Sequence, residues 1–255
     1  MKSKLLYHIA AIAGLVVLMS ERPLNHTVKK GTVKITFRNM VKADPLTLND
    51  VTYTNPFGEA YTVSKFKYYI SQVNVKNNAT VVNEANSFHL IDESKPESMS
   101  FSFDAPVGKY TTLSFMIGVD SLHNVSGAQT GALDPKNDMF WTWNSGYIMF
   151  KFEGNSPVST QVNNKVEYHI GGYAGPNKVL KMITMKLPGD GIFDIQEGKV
   201  SELIVEADID KWWQDPNEIK IATNAVSMTP GPLAKKFADN YANIFSVKQV
   251  VNKQY

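Results

Sequence analysis

Apolar and polar residues alternate along much of this chain with a period of two, the pattern of strands that bury one face and wet the other. From Thr32 to Arg38 the apolar positions are Val33, Ile35 and Phe37. Tyr61 to Val75 is dense in β-branched and aromatic residues and reads as a long strand, with Ser87 to Ile91 and Met99 to Phe103 as short ones. Lys109 to Asp120 sets Leu113, Phe115, Ile117 and Val119 on one face, and Lys165 to Ile170, Val179 to Leu187 and Glu202 to Ile209 continue the theme. Turn signals separate these runs: Asn49-Asp50, Asn55-Pro56-Phe57-Gly58, Asn77-Asn78, Pro106-Val107-Gly108 and Pro188-Gly189-Asp190-Gly191. Short strands punctuated in this way predict an all-β fold, an antiparallel β-sandwich, rather than a parallel α/β sheet.

The period changes near the C-terminus. After Pro230 and Pro232, the residues Leu233, Phe237, Tyr241 and Ile244 fall at three- and four-residue spacing, which predicts one amphipathic helix over 233–245 packed on the sandwich. Asp210 to Asp215 is expected to form a single helical turn. Trp212 and Trp213 are adjacent there and so point in different directions, and at least one is expected to be exposed.

The composition bounds what such a fold can do. With 255 residues, 43% of them hydrophobic and 20% charged, the chain has enough apolar surface for one sizeable core, and residues 31–255 are taken as one domain. A net charge of +2, with basic and acidic residues interspersed, gives no electrostatic footprint for nucleic acid. Cysteine is absent, which excludes disulfides, thiolate metal sites and cysteine nucleophiles together. A metal would have to be held by His, Met, Asp, Glu, Asn or backbone. At the N-terminus, Lys2 and Lys4 precede a run without charge from Leu5 to Met19, and Ser20-Glu21-Arg22-Pro23 follows. This is the pattern of an export signal over residues 1–20, in a run too short for a comfortable span of ~20 apolar residues. An uncleaved membrane anchor is the alternative, and in either case the body of the protein is expected to be periplasmic or otherwise exported.

Candidate chemistry concentrates between Phe115 and Gly154. Trp141 and Trp143 are two apart, so on a strand they would share a face and form an aromatic platform, or else anchor the core. Asp120, Asn124, Asp134 and Asp138 offer oxygen ligands in one loop, but at no recognised calcium spacing, and turn formation accounts for them. Among five histidines, His169 lies opposite the apolar set Val166, Tyr168 and Ile170, and Gly171-Gly172 beside it permits close backbone approach. His123 sits in a polar loop and His89 on a short strand. His-based ligation without cysteine suits copper, with a methionine as a further ligand. There is no Gly-x-Ser-x-Gly elbow, phosphate loop or His-Glu-x-x-His helix, so an enzyme is not the expectation.

Three stretches carry a family resemblance: GVDSLHNVSGAQTGALDP from Gly118, MFWTWNSGYIMFKFEG from Met139 and YHIGGY from Tyr168. Together with NPFGEAYTVSKFKYYIS from Asn55 and SMTPGPLAKKFADNYANIFSV from Ser227, they resemble the MbnP-like family, named for a methanobactin-associated periplasmic copper-binding protein. The resemblance implies an exported, mainly β protein that binds copper. It also implies a di-haem peroxidase-like partner that oxidises a tryptophan to kynurenine, the modified residue joining histidines at the copper site. On this chain the matching residues are Trp141 or Trp143 and His169, expected within ~12 Å of one another so that a metal with bonds of about 2 Å fits between them. Where copper-binding members place a histidine near the first strand, this chain reads Phe37-Arg38-Asn39, so His89 or His123 would supply a further ligand. A different class of function is a metal-free cell-envelope module that binds a small molecule or protein partner through the Trp/Gly-rich loop.

Overall fold

The computed structural model describes residues 28–85, 87–143 and 146–252. The predicted export signal over residues 1–20 lies outside the described residues. The alternating runs become strands of two facing sheets. In the smaller sheet, Lys30–Val41 lies between Val200–Asp208, with which it pairs in parallel (Thr32 opposite Val200, Met40 opposite Asp208), and Ser100–Pro106, antiparallel to it. Phe245–Asn252 extends this sheet beyond Val200–Asp208. The larger sheet runs in the order Lys181–Lys186, Thr112–Ile117, Ala60–Lys76, Gly146–Asn155, Lys165–Gly171, Val226–Ser227. Its long strand Ala60–Lys76 also takes Phe88–Asp92 as a partner.

The core forms where the apolar faces meet. Phe37 of the smaller sheet reaches Tyr68 and Phe115 of the larger one at ring-centroid distances of 6.0 and 5.7 Å. The all-β sandwich with a short C-terminal helix is the observed architecture, with antiparallel ladders predominating. The helix Pro232–Tyr241 buries Ala234, Phe237, Ala238 and Tyr241 on the stripe that the spacing indicates. It stops at Tyr241, and Phe245 opens a strand instead, with Phe245 and Val247 buried and Ser246 and Lys248 exposed between and after them. The run Lys109 to Asp120 is likewise interrupted: Gly108–Tyr110 pairs with Phe193–Ile195, Thr112–Ile117 joins the larger sheet, and Ser121–Val125 forms a five-residue helix.

The expectation for the adjacent tryptophans is corrected. Both Trp212 and Trp213 are fully buried. The tight 3-10 turn Ile209–Trp213 is lodged against the core face of the larger sheet beneath the C-terminal helix, so both directions are covered. Trp212 packs on Phe150 and Phe237 at 4.8 and 4.9 Å, and Trp213 on Tyr61 at 5.0 Å.

Candidate functional site

The strands that build the core with one face carry charge on the other. In Gly146–Asn155, Phe150 and Phe152 point inward and Lys151 and Glu153 outward, and in Ala60–Lys76 the same alternation sets Phe66 and Tyr68 against Lys65 and Lys67. Lys67, Lys151 and His169 lie side by side across three strands. Over this charged face passes a strap from Gly131 to Trp143. The strap seats Leu133 and Met139 in the core and places Asn137 and Asp138 above the lysines. Lys65 and Lys151 each bring Nζ within 2.9 Å of Asp138 Oδ2, and Lys151, 1% exposed, also donates to the Asp138 carbonyl. Lys67 donates to the Asn137 carbonyl at 3.4 Å and pairs with Asp92 at 3.1 Å.

His169 belongs to this network. Its Nε2 is 2.8 Å from Glu153 Oε1, and the same carboxylate meets Lys65 at 3.2 Å and Lys151 at 3.7 Å. The hydrogen bond from His169, reinforced by the two ammonium groups, holds the Glu153 carboxyl down to about 2. Burial pushes the Asp138 carboxyl up, yet the hydrogen bonds from Lys151 and Lys65 outweigh it and keep that group below the usual carboxylate range. His169 is therefore a buried side chain paired with Glu153, whose carboxylate Lys65 and Lys151 also hold.

The strap ends in the tryptophans. Phe140–Trp141 pairs with Gly146 and Tyr147, and the Trp141 ring lies on Gly171, two residues along the strand from His169 and on the same face, a separation of about 7 Å along the backbone. A Cβ at Gly171 would stand 2.4 Å from Trp141 Cζ3, so the ring can lie there only over glycine. Trp141 is 4% exposed and Trp143 62%, with ring centroids 5.4 Å apart. A cavity of about 220 Å³ adjoins Trp141, walled by Tyr147, Gly172, Tyr173 and Pro230.

The other two histidines among the described residues sit elsewhere, each with its own carboxylate. His89 Nε2 lies 2.9 Å from both oxygens of Glu84, and its ring stacks on Phe101 at 3.5 Å. Asp120 caps the helix Ser121–Val125 by accepting from the His123 amide, and its oxygens stand 2.9 and 2.8 Å from His123 Nδ1. That grip leaves Nε2 as the nitrogen available to a ligand, the arrangement in which an outer carboxylate orients a metal-binding imidazole. His123 and Glu84 line a common cavity of about 460 Å³ with Gln72, Asn83 and Phe88. Among the described residues no three His, Asp or Glu side chains are grouped to hold a metal ion. Of the three candidate histidines, His169 is engaged by Glu153 and His89 by Glu84, while His123 lines the cavity with its Nδ1 held by Asp120. The loop oxygens serve turns and pairs: Asn124 bonds Val119, Asp120 and Tyr147 backbone, and Asp134 caps the turn at Lys136.

Lys151 and Glu153 were not singled out by sequence reasoning, and Asp138 entered it only as a turn-forming loop oxygen. The signal lies in Met149-Phe150-Lys151-Phe152-Glu153, where charge alternates with aromatic residues at the same phase as Lys65-Phe66-Lys67-Tyr68.

Comparison with known proteins gives two positive findings. The model of the family described as MbnP matches residues 30–230. Among solved structures, the fold is similar to MbnP from Methylosinus trichosporium, with a TM-score of 0.50 and 15% sequence identity, covering 76% of this chain and 80% of that one. Among curated proteins none matches.

Proposed function

The chain belongs to the MbnP family, and from that premise we propose that it is an exported protein that binds copper as cargo and carries an oxidisable tryptophan pair at its surface. The observation that carries the metal half of this reading is the Asp120–His123 pair, in which the carboxylate engages Nδ1 of an imidazole that lines a cavity and so leaves Nε2 for a ligand. Neutral imidazole is a donor that copper prefers among those this cysteine-free chain offers. The tryptophan half rests on the contact between exposed Trp143 and buried Trp141. An electron leaving Trp141 has an indole beside it that reaches solvent, where a di-haem peroxidase-like partner would dock. The protein acts here as a binder and a substrate of its partner, not as a catalyst. Among the described residues no helix is long and apolar enough to cross a membrane.

The test is a cupric titration of the mature chain. The expected result is one saturable site, lost in His123→Ala and weakened about 10- to 100-fold in Asp120→Asn, as for removal of an outer-shell partner. Equal affinity in the wild type and His123→Ala would overturn the assignment. A second reading, a metal-free module, is favoured by the cavity beside Trp141. It predicts no copper site at all and ligand-dependent quenching of Trp143 emission.

A further inference from the structure

The charged face under the strap has no role in the reading above, yet it is built at some cost. Lys151 is 1% exposed, and burial pushes its ammonium pKa down even though Asp138 and Glu153 face it. A lysine in that position is retained only if its partners hold it well, since a buried charge that loses its partner is strongly unfavourable. Its partners on the strap are the Asp138 carboxylate and carbonyl, and Lys65 converges on the same carboxylate oxygen. Asp138 has a left-handed backbone, φ 61°, where it caps the turn 135–137, and its Oδ2 and carbonyl oxygen both meet lysines.

The placement along the strap matters. Upstream of Asp138 the strap is fastened by the Tyr69 hydroxyl to the Ala132 carbonyl and by the Tyr147 hydroxyl to the Leu133 carbonyl. Downstream the fastenings are the buried Met139, whose carbonyl accepts from Ile148, and the two-residue ladder of Phe140–Trp141. Asp138 is thus the last ionic anchor before the tryptophans. On the other side of the same lysines, Glu153 joins them to His169.

We infer that Asp138 is a positioning residue: with Lys65 and Lys151 it forms an ionic latch that holds Trp141 down on Gly171, and Glu153 ties that latch to His169. The inference rests on the reading of Trp141 and Trp143 as the working pair, and it adds what sets their exposure. Asp138 and Glu153 are the carboxylates that face Lys65 and Lys151, while Lys67 turns to Asp92, which Lys95 also meets at 3.9 Å. Loss of one carboxylate leaves a surplus cation beneath the strap and lifts it.

The experiment counts accessible indoles by iodide quenching in Asp138→Asn. Asparagine keeps the left-handed backbone and the carbonyl, so the substitution isolates the charge. The wild type is expected to show one accessible indole of its four, namely Trp143. Asp138→Asn is expected to show close to two, with Trp212 and Trp213 still protected, and Glu153→Gln a smaller increase. Lys165→Gln, which breaks a pair between Lys165 and Glu167 away from the strap, should leave the wild-type pattern. An accessible fraction in Asp138→Asn equal to the wild type would overturn the latch, as would exposure of all four indoles, which would report general unfolding. Because the readout needs neither copper nor a haem partner, it can fail while the proposed function stands, and the reverse.

Discussion

The molecule has two tryptophan pairs, and they are used in opposite ways. Trp212 and Trp213 are neighbours in sequence, lie in a 3-10 turn and are both fully buried among Phe150, Phe152, Tyr168 and Phe237. Trp141 and Trp143 are two apart at the end of a strap, and only the first is covered. Residue type therefore says little by itself. What separates the pairs is that the first has sheet on one side and helix on the other, whereas the second has a sheet strand beneath it and solvent above. Cover on both sides makes the first pair a keystone of packing, and in the second pair only Trp141 is covered while Trp143 stays open to solvent.

Substitutions sharpen the contrast. Trp212→Ala should cost about 3–5 kcal/mol of unfolding free energy, the range for emptying a large aromatic site in a core, and a chemical denaturation midpoint close to wild type would break the comparison from the structural side. Gly171→Ala should cost about 1–3 kcal/mol, because the added methyl group must displace the Trp141 ring or the strand. Its signature is a new accessible indole together with a modest loss of stability. Trp143→Ala should change stability by no more than about 0.5 kcal/mol, as expected for a surface position. If it destabilised as much as Trp212→Ala, the exposed ring would have to be a packing element after all.

The acid range tests the charged face that lies beneath the second pair. The hydrogen bond from His169 and the nearby ammonium groups hold the Glu153 carboxyl down to about 2 from an ordinary value of 4.5. Because its folded pKa is depressed, its contribution to stability is complete above about 4.5 and is lost as pH falls from there towards 2. The thermal midpoint should therefore drop across that window, and Glu153→Gln should flatten the drop. Identical profiles for the two proteins would mean that the His169–Glu153 pair contributes nothing measurable.

Much of the fold was legible in the chain. Val33, Ile35 and Phe37 alternate because one face of their strand is buried and the other is not, and the stripe Leu233, Phe237, Tyr241 marks the helix for the corresponding reason at period 3.6. The strand Phe245–Asn252 was harder to see, because its first apolar residue also continues the helical spacing. The parallel pairing of Lys30–Val41 with Val200–Asp208 leaves no local trace at all, since it joins segments far apart in sequence. For the site, the motifs located Trp141, Trp143 and His169, but periodicity gave His169 only a polar face. It could not say that Glu153 and two lysines already occupy that face, because those neighbours come from other strands through register. Likewise the burial of both Trp212 and Trp213 depends on the helix that closes over them, which no property of the turn itself reveals.

The claim that most needs testing is that the strap pair, not the core pair, is where oxidation occurs. The direct measurement is peptide mapping by mass spectrometry after the mature protein has reacted with the proposed di-haem peroxidase-like partner and peroxide. The account predicts a product that has gained one oxygen and lost one carbon, confined to the peptide that holds Trp141 and Trp143, with Trp212 and Trp213 unmodified. A product found on Trp212 or Trp213, or unmodified peptides throughout while the partner is active, would contradict it.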